Sequence, residues 1–449
     1  MADGSLDVVT FGCRLNAYES DRIRRRATAD GVTDAVVFNT CAVTAEAVRQ
    51  ARQAIRKARR ARPDTRLVVT GCAAQIDPTS FAAMPEVDLV LGNAEKSAPG
   101  ALWRTGLQVG DIFAAAPLTS PPLPANGRKA TDEPVRSVPE AAAGASVALS
   151  HARGRSELRA VGVRARAYVE VQNGCDPRCT FCVIPFGRGN SRSTPAERVV
   201  DEVRELACGG CAEVVLTGVD LTSWGADLAG APALGDLVAR ILAEIPELPR
   251  LRLSSIDAAE IDPALMACLA REERLCPHLH LSLQSGDDLI LKRMKRRHSS
   301  ADALRLIEAV RAIRPETAFG ADFIAGFPTE TDAAFENTAR FVEAAGLAYL
   351  HVFPYSPRPM TPAARMPQVE RDVVKHRAAR LRAAGEAALA RHLDRQVGRR
   401  VEALVEEPGR ARAADFTEIA VDSRVGPVGG LVPLTLTGHD GRRATGVPA

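Results

Sequence analysis

The chain lacks several things that would have placed it quickly. No apolar run approaches the roughly 20 residues that cross a bilayer, so no membrane span is expected. The opening MADGSLDVVTFGC has no basic stretch followed by an apolar one. No secretory signal is therefore expected, and a cytoplasmic location is. Lysine is scarce: 6 residues, against 52 Arg. With so much Ala beside it, that Arg excess fits GC-rich coding and carries no functional weight by itself. Charge excess is missing too, since 58 Lys+Arg oppose 55 Asp+Glu for a formal +3. That balance does not announce a nucleic-acid binder. No short internal repeat is present, and the eight histidines offer no constellation.

What is there is a chain of 449 residues, 46% hydrophobic and 25% charged. The length allows roughly three domains, and the composition is that of a folded soluble protein. Ten cysteines without an export signal should be reduced thiols, serving as ligands, catalysts or core residues rather than disulfides.

The first hundred residues alternate strand and helix. Strands read at LDVVTFGC (6–13), AVVFNTC (35–41), RLVVTGC (66–72) and VDLVLG (87–92), with helices running to about 31 and over about 45–60. This pattern predicts an α/β fold, with a doubly wound parallel sheet as an N-terminal domain over 1–100. Residues 101–163, rich in Pro, Ala, Gly and Ser without a sustained period, read as a flexible linker or surface insertion. From Ala167 the alternation resumes through AYVEVQNG, EVVLTGVD, RLRLSS, HLHLSLQS, FGADFIAGFP and AYLHVFPYSP. Six βα units with right-handed crossovers curl into a partial (β/α)6 barrel, over 164–395. A basic, Ala-rich helix at 370–394 leads to RVEALVEE, DFTEIAVDS and LVPLTLTG. These suggest a small antiparallel β module over 396–449.

Cys175, Cys179 and Cys182 form a C-x3-C-x2-C run just beyond the first barrel strand. Three thiolates so close in sequence can fold round one face of a cubane iron–sulfur cluster and leave its fourth iron without a protein ligand. An open iron takes a small exogenous chelator, as catalytic rather than closed structural metal sites do. Zinc competes, but its structural sites want four ligands in two close pairs, and no fourth partner is near. Cys13, Cys41 and Cys72 lie far apart in sequence, yet each ends a predicted strand. Carboxyl ends of parallel strands open on one edge of the sheet, so the three should converge there. Gly12 and Gly71, just before two of them, would let the backbone approach a bulky group. Three unrelated buried thiols is the competing reading. Cys208 and Cys211 form a C-x2-C pair between a helix end and a strand start, on the barrel face away from the chemistry, and read as inert. Cys268 and Cys276 read as packing residues.

The C-x3-C-x2-C run at the top of a first barrel strand resembles the radical S-adenosylmethionine (SAM) superfamily, and Phe181 matches the aromatic residue usual between its second and third cysteines. The wider context is VEVQNGCDPRCTFCVIPFGRGNSRS with LTGVDLTSWG, LHLSLQSGDD, ADFIAGFPTET and FPYSPRP. It resembles the methylthiotransferase family, over nearly the whole chain outside the linker. The resemblance implies two [4Fe–4S] clusters. One is on Cys175, Cys179 and Cys182, with SAM chelating the open iron. The other is on Cys13, Cys41 and Cys72, through the matching segments TFGCRLNAYES, NTCAVTAEA and GCAAQ. It also implies a SAM pocket shaped by Phe181, Thr217, Gly218, Asp220, Ser254, Gln284, Asp322 and Phe327, and a terminal module similar to the TRAM domain of tRNA-modifying enzymes. Met360 stands where the family usually has Gly, and Pro177 where a His is common; neither is a ligand.

The reaction implied is methylthiolation of C2 of a modified adenosine. An aromatic C2–H is not acidic and offers no leaving group, so the family's route is radical. The first cluster reduces SAM to a 5′-deoxyadenosyl radical, and the second holds a sulfur methylated by another SAM. TFGCRLNAYES and LHVFPYSPRPMTPAARM look most like the enzymes acting on N6-threonylcarbamoyladenosine at tRNA position 37. N6-isopentenyladenosine in tRNA and an aspartate of a ribosomal protein are the alternatives within the family. A non-catalytic iron–sulfur RNA-binding protein is the rival from another class. Expected partners are the tRNA anticodon arm and a low-potential electron donor, and a monomer is expected. RNA contacts need basic clusters. Candidates are Arg49, Arg52, Arg56, Arg59 and Arg60 on the long N-terminal helix, KRMKRRH (292–298), and Arg399 with Arg400.

Overall fold

The computed structural model describes residues 6–116, 118, 165–259 and 261–449, so most of the expected linker lies outside the described residues. The chain divides into two compact units, the second holding both the barrel and the C-terminal module.

The first unit opens with β1 (Asp7–Thr10), α1 (Arg14–Ala29), β2 (Ala35–Thr40), α2 (Ala45–Ala61) and β3 (Arg66–Gly71). Then come two five-residue helices, α3 (Cys72–Ile76) and α4 (Pro78–Ala82), followed by β4 (Leu89–Leu91) and β5 (Gly106–Gln108). All five strands are parallel and lie in the order β1-β2-β3-β4-β5. Every residue of β2 is buried, as a strand covered on both faces requires. On one face Val8, Val37, Val68 and Leu89 pack with Ile23 and Ala27 of α1. Val36, Phe38 and Val69 alternate to the other face, and α2 buries Ala51, Ala54 and Ile55. The sheet continues past residue 100 to Gln108. A three-residue strand reading Gly-Leu-Gln carries no periodicity to detect.

The second unit begins with β6 (Ala167–Glu170), β7 (Gln172–Asn173), α5 (Ile184–Arg188), β8 (Arg192–Ser193), α6 (Ala196–Cys208), β9 (Glu213–Thr217), α7 (Leu234–Glu244), β10 (Arg250–Leu253) and β11 (Ser255–Ile256). It goes on through α8 (Pro263–Arg271), β12 (His278–Gln284), α9 (Asp288–Met294), α10 (Ser300–Ile313), β13 (Ala318–Ala325), α11 (Asp332–Ala344), β14 (Tyr349–Pro354) and α12 (Arg371–Gln396). Two parallel sheets form a curved wall, β6-β9-β10 and then β11-β12-β13-β14. Leu279, Leu281, Leu283, Phe319, Ala321 and Phe323 join one helix-side core with Val199, Val203, Leu237 and Ile241. Each of the Leu, Val, Ile and Phe side chains contributes roughly 1.5–3 kcal/mol of burial. The intervening residues point to the inner face of the wall.

The C-terminal module is a closed five-stranded barrel of β15 (Arg400–Glu407), β16 (Arg410–Ala413), β17 (Glu418–Ala420), β18 (Leu431–His439) and β19 (Ala444–Pro448). It is antiparallel apart from one parallel pairing, β17 with β19, which closes it. Closure removes the exposed edges that a small sheet would otherwise present. Charged side chains at the amino ends of the barrel strands tie it to the wall. Glu213 accepts from Arg252 at 2.9 and 3.1 Å and lies 2.9 Å from Arg166. Arg166 also pairs with Glu406 of the module at 2.6 Å. Arg252 donates to the Ala414 carbonyl at 2.9 Å, and Phe416 stacks on His278 with ring centroids 4.6 Å apart. Burial pushes the Glu213 carboxyl up, but Arg252 and Arg166 overcome it and bring the group down to about 2; Glu406 is likewise held at about 2 against burial by Arg412 and Arg166. Residues distant in sequence thus satisfy each other's buried charges, and the module packs with the barrel as one unit.

Candidate cluster and substrate site

The loop carrying Cys175, Cys179 and Cys182 leaves β7 through Gly174, at φ +76°, where a Cβ would stand 1.8 Å from the Asn190 carbonyl oxygen. No other residue fits there. The Gln172 amide donates to the Gly174 carbonyl at 2.8 Å, and its oxygen accepts from the backbone of Val219 and Asp220 at 3.0 and 2.9 Å. One buried side chain therefore aligns the start of the cysteine loop with the loop after β9. Gly218 packs directly on it, since a Cβ there would meet Gln172 at 3.0 Å. Farther along, Thr180 donates from its backbone to the Met294 carbonyl at 3.1 Å and from its hydroxyl to the Arg293 carbonyl at 2.8 Å. Phe181 meets Phe327 edge-on at 6.5 Å, and Phe327 meets Tyr355 at 5.8 Å.

The three thiols are partly buried. Burial pushes the Cys175 thiol well up, and Asp220 with the other two thiols adds to it. A thiol crowded by anions is set for a cation that takes the place of its proton. The protein already offers one positive contact: Arg296 donates to Cys179 Sγ at 3.5 Å while holding Asp257 and the Ser282 carbonyl, each at 2.7 Å. The Ile184 amide donates to Cys182 Sγ at 3.4 Å. Three soft donors with cationic and amide contacts fit an iron–sulfur cluster.

In the first unit, Cys13 follows β1, Cys41 follows β2 and Cys72 opens α3 directly after β3. The strands are neighbours in that order, so the cysteines share one sheet edge as expected. Gly12, at φ +100°, lies so close to Cys41 that a Cβ would stand 2.8 Å from its Cβ and 3.0 Å from its sulfur; Gly71, at φ +95°, backs onto Thr40 at 2.4 Å. Asn16 knits the edge by donating to the Phe11 and Thr40 carbonyls at 2.8 and 3.1 Å. Cys13 donates to its amide oxygen at 3.4 Å, and Asn93 donates to Cys72 Sγ at 3.8 Å. Cys41 and Cys72 are buried while Cys13 is exposed, so this donor set also fits a cluster and opens to one side.

The other expected residues fall into distinct places. Thr217 ends β9 fully buried, and Asp220 accepts from the Ser223 hydroxyl at 2.6 Å with Arg297 at 3.8 Å. The Ser254 hydroxyl is buried without a hydrogen-bond partner, an orphan polar group at the strand ends. Gln284 ends β12 at φ +71°, beyond a register shift against β13. Asp322 lies inside β13, where its Oδ1 takes His280 Nε2 at 2.9 Å and His351 Nδ1 at 3.2 Å. The histidines do form a constellation, against expectation, because strand register brings together residues that sequence spacing separates.

Sequence reasoning missed Gln172, Gly174 and Arg296. It placed Arg296 in a basic cluster for RNA; that cluster is split, with Lys292, Lys295 and Arg297 exposed while Arg293 donates to Thr329 at 2.7 Å and Arg296 faces Cys179 and Asp257. The helix α2 stripe is similarly engaged, Arg49 with Glu46, Arg52 with Ser80, and Arg59 with Asp88; Arg60 and Arg400 are exposed. Cys208 is exposed, Cys211 is half-buried with its thiol pushed up by burial, and Cys268 and Cys276 are buried. No helix among the described residues is long and apolar enough to cross a membrane.

Known proteins match this arrangement. A family model described as Radical SAM superfamily matches residues 169–342, and one described as Uncharacterized protein family UPF0004 matches residues 5–92. The chain is 46% identical over 416 residues to the threonylcarbamoyladenosine tRNA methylthiotransferase MtaB of Rickettsia prowazekii, covering 93% of this chain and 91% of that one. It is 34% identical to the tRNA-2-methylthio-N(6)-dimethylallyladenosine synthase of Erythrobacter litoralis, covering 90% and 86%. Among solved structures, the radical S-adenosylmethionine methyltransferase TsrM of Kitasatospora setae aligns with a TM-score of 0.49 at 18% identity, covering 78% and 68%.

Proposed function

The chain belongs to the radical SAM methylthiotransferase family, and from that premise we propose that it places a methylthio group on C2 of N6-threonylcarbamoyladenosine at position 37 of tRNA. The observation that carries the reading is the pair of separate three-thiol sites, each at the carboxyl ends of parallel strands. Cys175, Cys179 and Cys182 would hold one [4Fe–4S] cluster with SAM, and Cys13, Cys41 and Cys72 a second, the first supplying the electron that cleaves SAM and the second the sulfur to be donated. A C2–H without acidity or leaving group gains little from acid–base side chains, so the chain's own contribution is position and charge.

Gln172 and Gly174 fix where the cysteine loop starts, Thr180 anchors its middle, and Arg296 offsets thiolate charge at Cys179. Phe181 and Phe327 form an aromatic wall beside the thiols. Thr217, Gly218, Asp220, Ser254 and Gln284 surround the strand ends where SAM's polar groups need partners, and the unpartnered Ser254 hydroxyl suits that role. Asp322 acts through the two histidines it holds. The threonylcarbamoyl substrate is favoured over the dimethylallyl one because the relative named for the former shares 46% identity and that for the latter 34%. The tRNA anticodon arm and a low-potential electron donor are the partners, in the cytoplasm, with the protein acting as a monomer.

Nucleoside mass spectrometry of tRNA from a strain deleted for the gene tests this. The methylthio form of threonylcarbamoyladenosine should disappear and return with the intact gene. An unchanged nucleoside profile refutes the assignment, and loss of the methylthio form of isopentenyladenosine instead moves it to the other tRNA branch.

A further inference from the structure

The His280–Asp322–His351 group is the one set of three His, Cys, Asp or Glu side chains, among the described residues, whose ligand atoms all lie within 4.8 Å of one another. Its place follows from the strands. Leu279 and Leu281 of β12, Ala321 and Phe323 of β13, and Leu350 and Val352 of β14 all pack toward the helices. Alternation therefore turns His280, Asp322 and His351 to the inner face of the wall. Asp322 and His351 are directly paired across β13 and β14. Gly320, beside them, leaves space that a Cβ would take from His280 Nδ1, 2.6 Å away. The next inward residue on β13, Ile324, belongs to the cluster against which Phe181 packs. Two residues of strand rise about 7 Å, so the group lies one pleat below the cysteine loop.

An ionised carboxylate only accepts, so each nitrogen facing Asp322 carries a hydrogen. In the tautomer of His351 that meets Asp322 through an Nδ1 hydrogen, Nε2 is left as an acceptor. The side chains of His280 and Asp322 are 5% and 22% exposed, but that of His351 is 41% exposed. The outermost ring of the group thus presents a fixed acceptor to the inner space, with its partner side already occupied.

We propose that His351 is the specificity-determining residue for the N6 substituent of the target adenosine, its Nε2 accepting from the hydroxyl of the threonylcarbamoyl group while Asp322 and His280 hold its tautomer and orientation. This rests on the threonylcarbamoyladenosine reading above. An isopentenyl group contains only carbon and hydrogen, and seating it against Nε2 would bury an acceptor without a donor. Sites built on such a bond discriminate strongly against ligands that lack it.

The test uses reconstituted full-length protein and synthetic anticodon stem-loops bearing threonylcarbamoyladenosine, isopentenyladenosine or plain adenosine at position 37. Fluorescence anisotropy gives a dissociation constant for each, and the ratio between stem-loops on one protein cancels any loss of folded fraction or general RNA affinity. The wild type should favour the threonylcarbamoyl stem-loop, and His351→Leu should reduce that preference roughly tenfold, the worth of one buried hydrogen bond. His351→Gln, which keeps an acceptor near the Nε2 position, should retain most of it. An unchanged ratio in His351→Leu overturns the proposal, as does equal loss in both variants. Stoichiometric zinc in the wild type that His351→Leu removes also overturns it, by making the group a metal site. If the wild type itself methylthiolates only the isopentenyl stem-loop, the substrate reading has failed, and that result is separate from the behaviour of either variant.

Discussion

At the amino ends of the barrel strands, buried charges are paired several times over: Glu213 with Arg252 and Arg166, Arg166 again with Glu406, Arg252 again with a module carbonyl. At the carboxyl ends the polar groups are left partly unmatched. Three thiols share one loop, the Ser254 hydroxyl has no partner, and Gln284 holds a left-handed backbone. Charges that meet several opposite charges make a seal and leave little for a ligand, although Arg166 and Arg250 there keep buried nitrogens outside hydrogen-bond geometry. Unsatisfied groups cost stability and are ready for a ligand. One wall thus carries both terms, separated by the length of its strands.

Substitutions should respect that division. The largest effect belongs to Cys175→Ala, which should abolish 5′-deoxyadenosine formation from SAM under dithionite while changing the melting temperature of the apoprotein little. Retained SAM cleavage would remove the carboxyl-end site from the chemistry. Next, Cys13→Ala should end methylthiolation but leave SAM cleavage, with iron falling from about eight to about four per chain. Loss of both activities would argue against separate roles for the two thiol sets.

At the sealed end, Arg252→Met takes two hydrogen bonds from Glu213 and leaves it Arg166; it should cost about 1.5–3 kcal/mol of stability, the range of hydrogen bonds to charged groups. Chemical denaturation measures this, and a cost below about 1 kcal/mol, the range of exposed pairs, would show the network to be ornamental. Acid provides a milder break. Glu213 and Glu406 are held at about 2 in the fold, below the unfolded value near 4.3. Their contribution is fully present above that unfolded value and is lost as pH falls from there through about 2. Denaturation midpoints followed by circular dichroism should decline over that window, and less steeply in Glu406→Gln. Smallest of all, Cys208→Ser, at an exposed helix end, should leave iron content and SAM cleavage within error.

Much of this was legible in the sequence, and the exceptions have physical causes. Strands of the barrel carry strong periodic signals, so β9, β12 and β13 begin within a residue of expectation, while the short α9 was not foreseen. The cysteines were readable because their position at strand ends is itself a sequence property. What escaped depends on register. His280, Asp322 and His351 come together only once three strands are aligned, and no spacing rule encodes that alignment. Arg296 was hidden by its neighbours, since a run of cations looks alike whether it faces solvent or, as here, a thiol and Asp257. The short β5 and the parallel β17–β19 pairing are tertiary choices with no local signature.

The wall changes sheet at Ser254. Its amide still donates to the Leu216 carbonyl of the first sheet at 3.0 Å, while Ser255 next to it pairs with His280 of the second. In mechanical terms that makes Ser254 a joint between two stiff plates. The cysteine loop is carried by the plate of β6 and β9, and the histidine pair by the plate of β12 to β14. Thr180, bonded to the Arg293 and Met294 carbonyls, carries the middle of that loop across the joint to the second plate. Arg296, reaching from Cys179 to Asp257 and Ser282, spans the joint as a second strut.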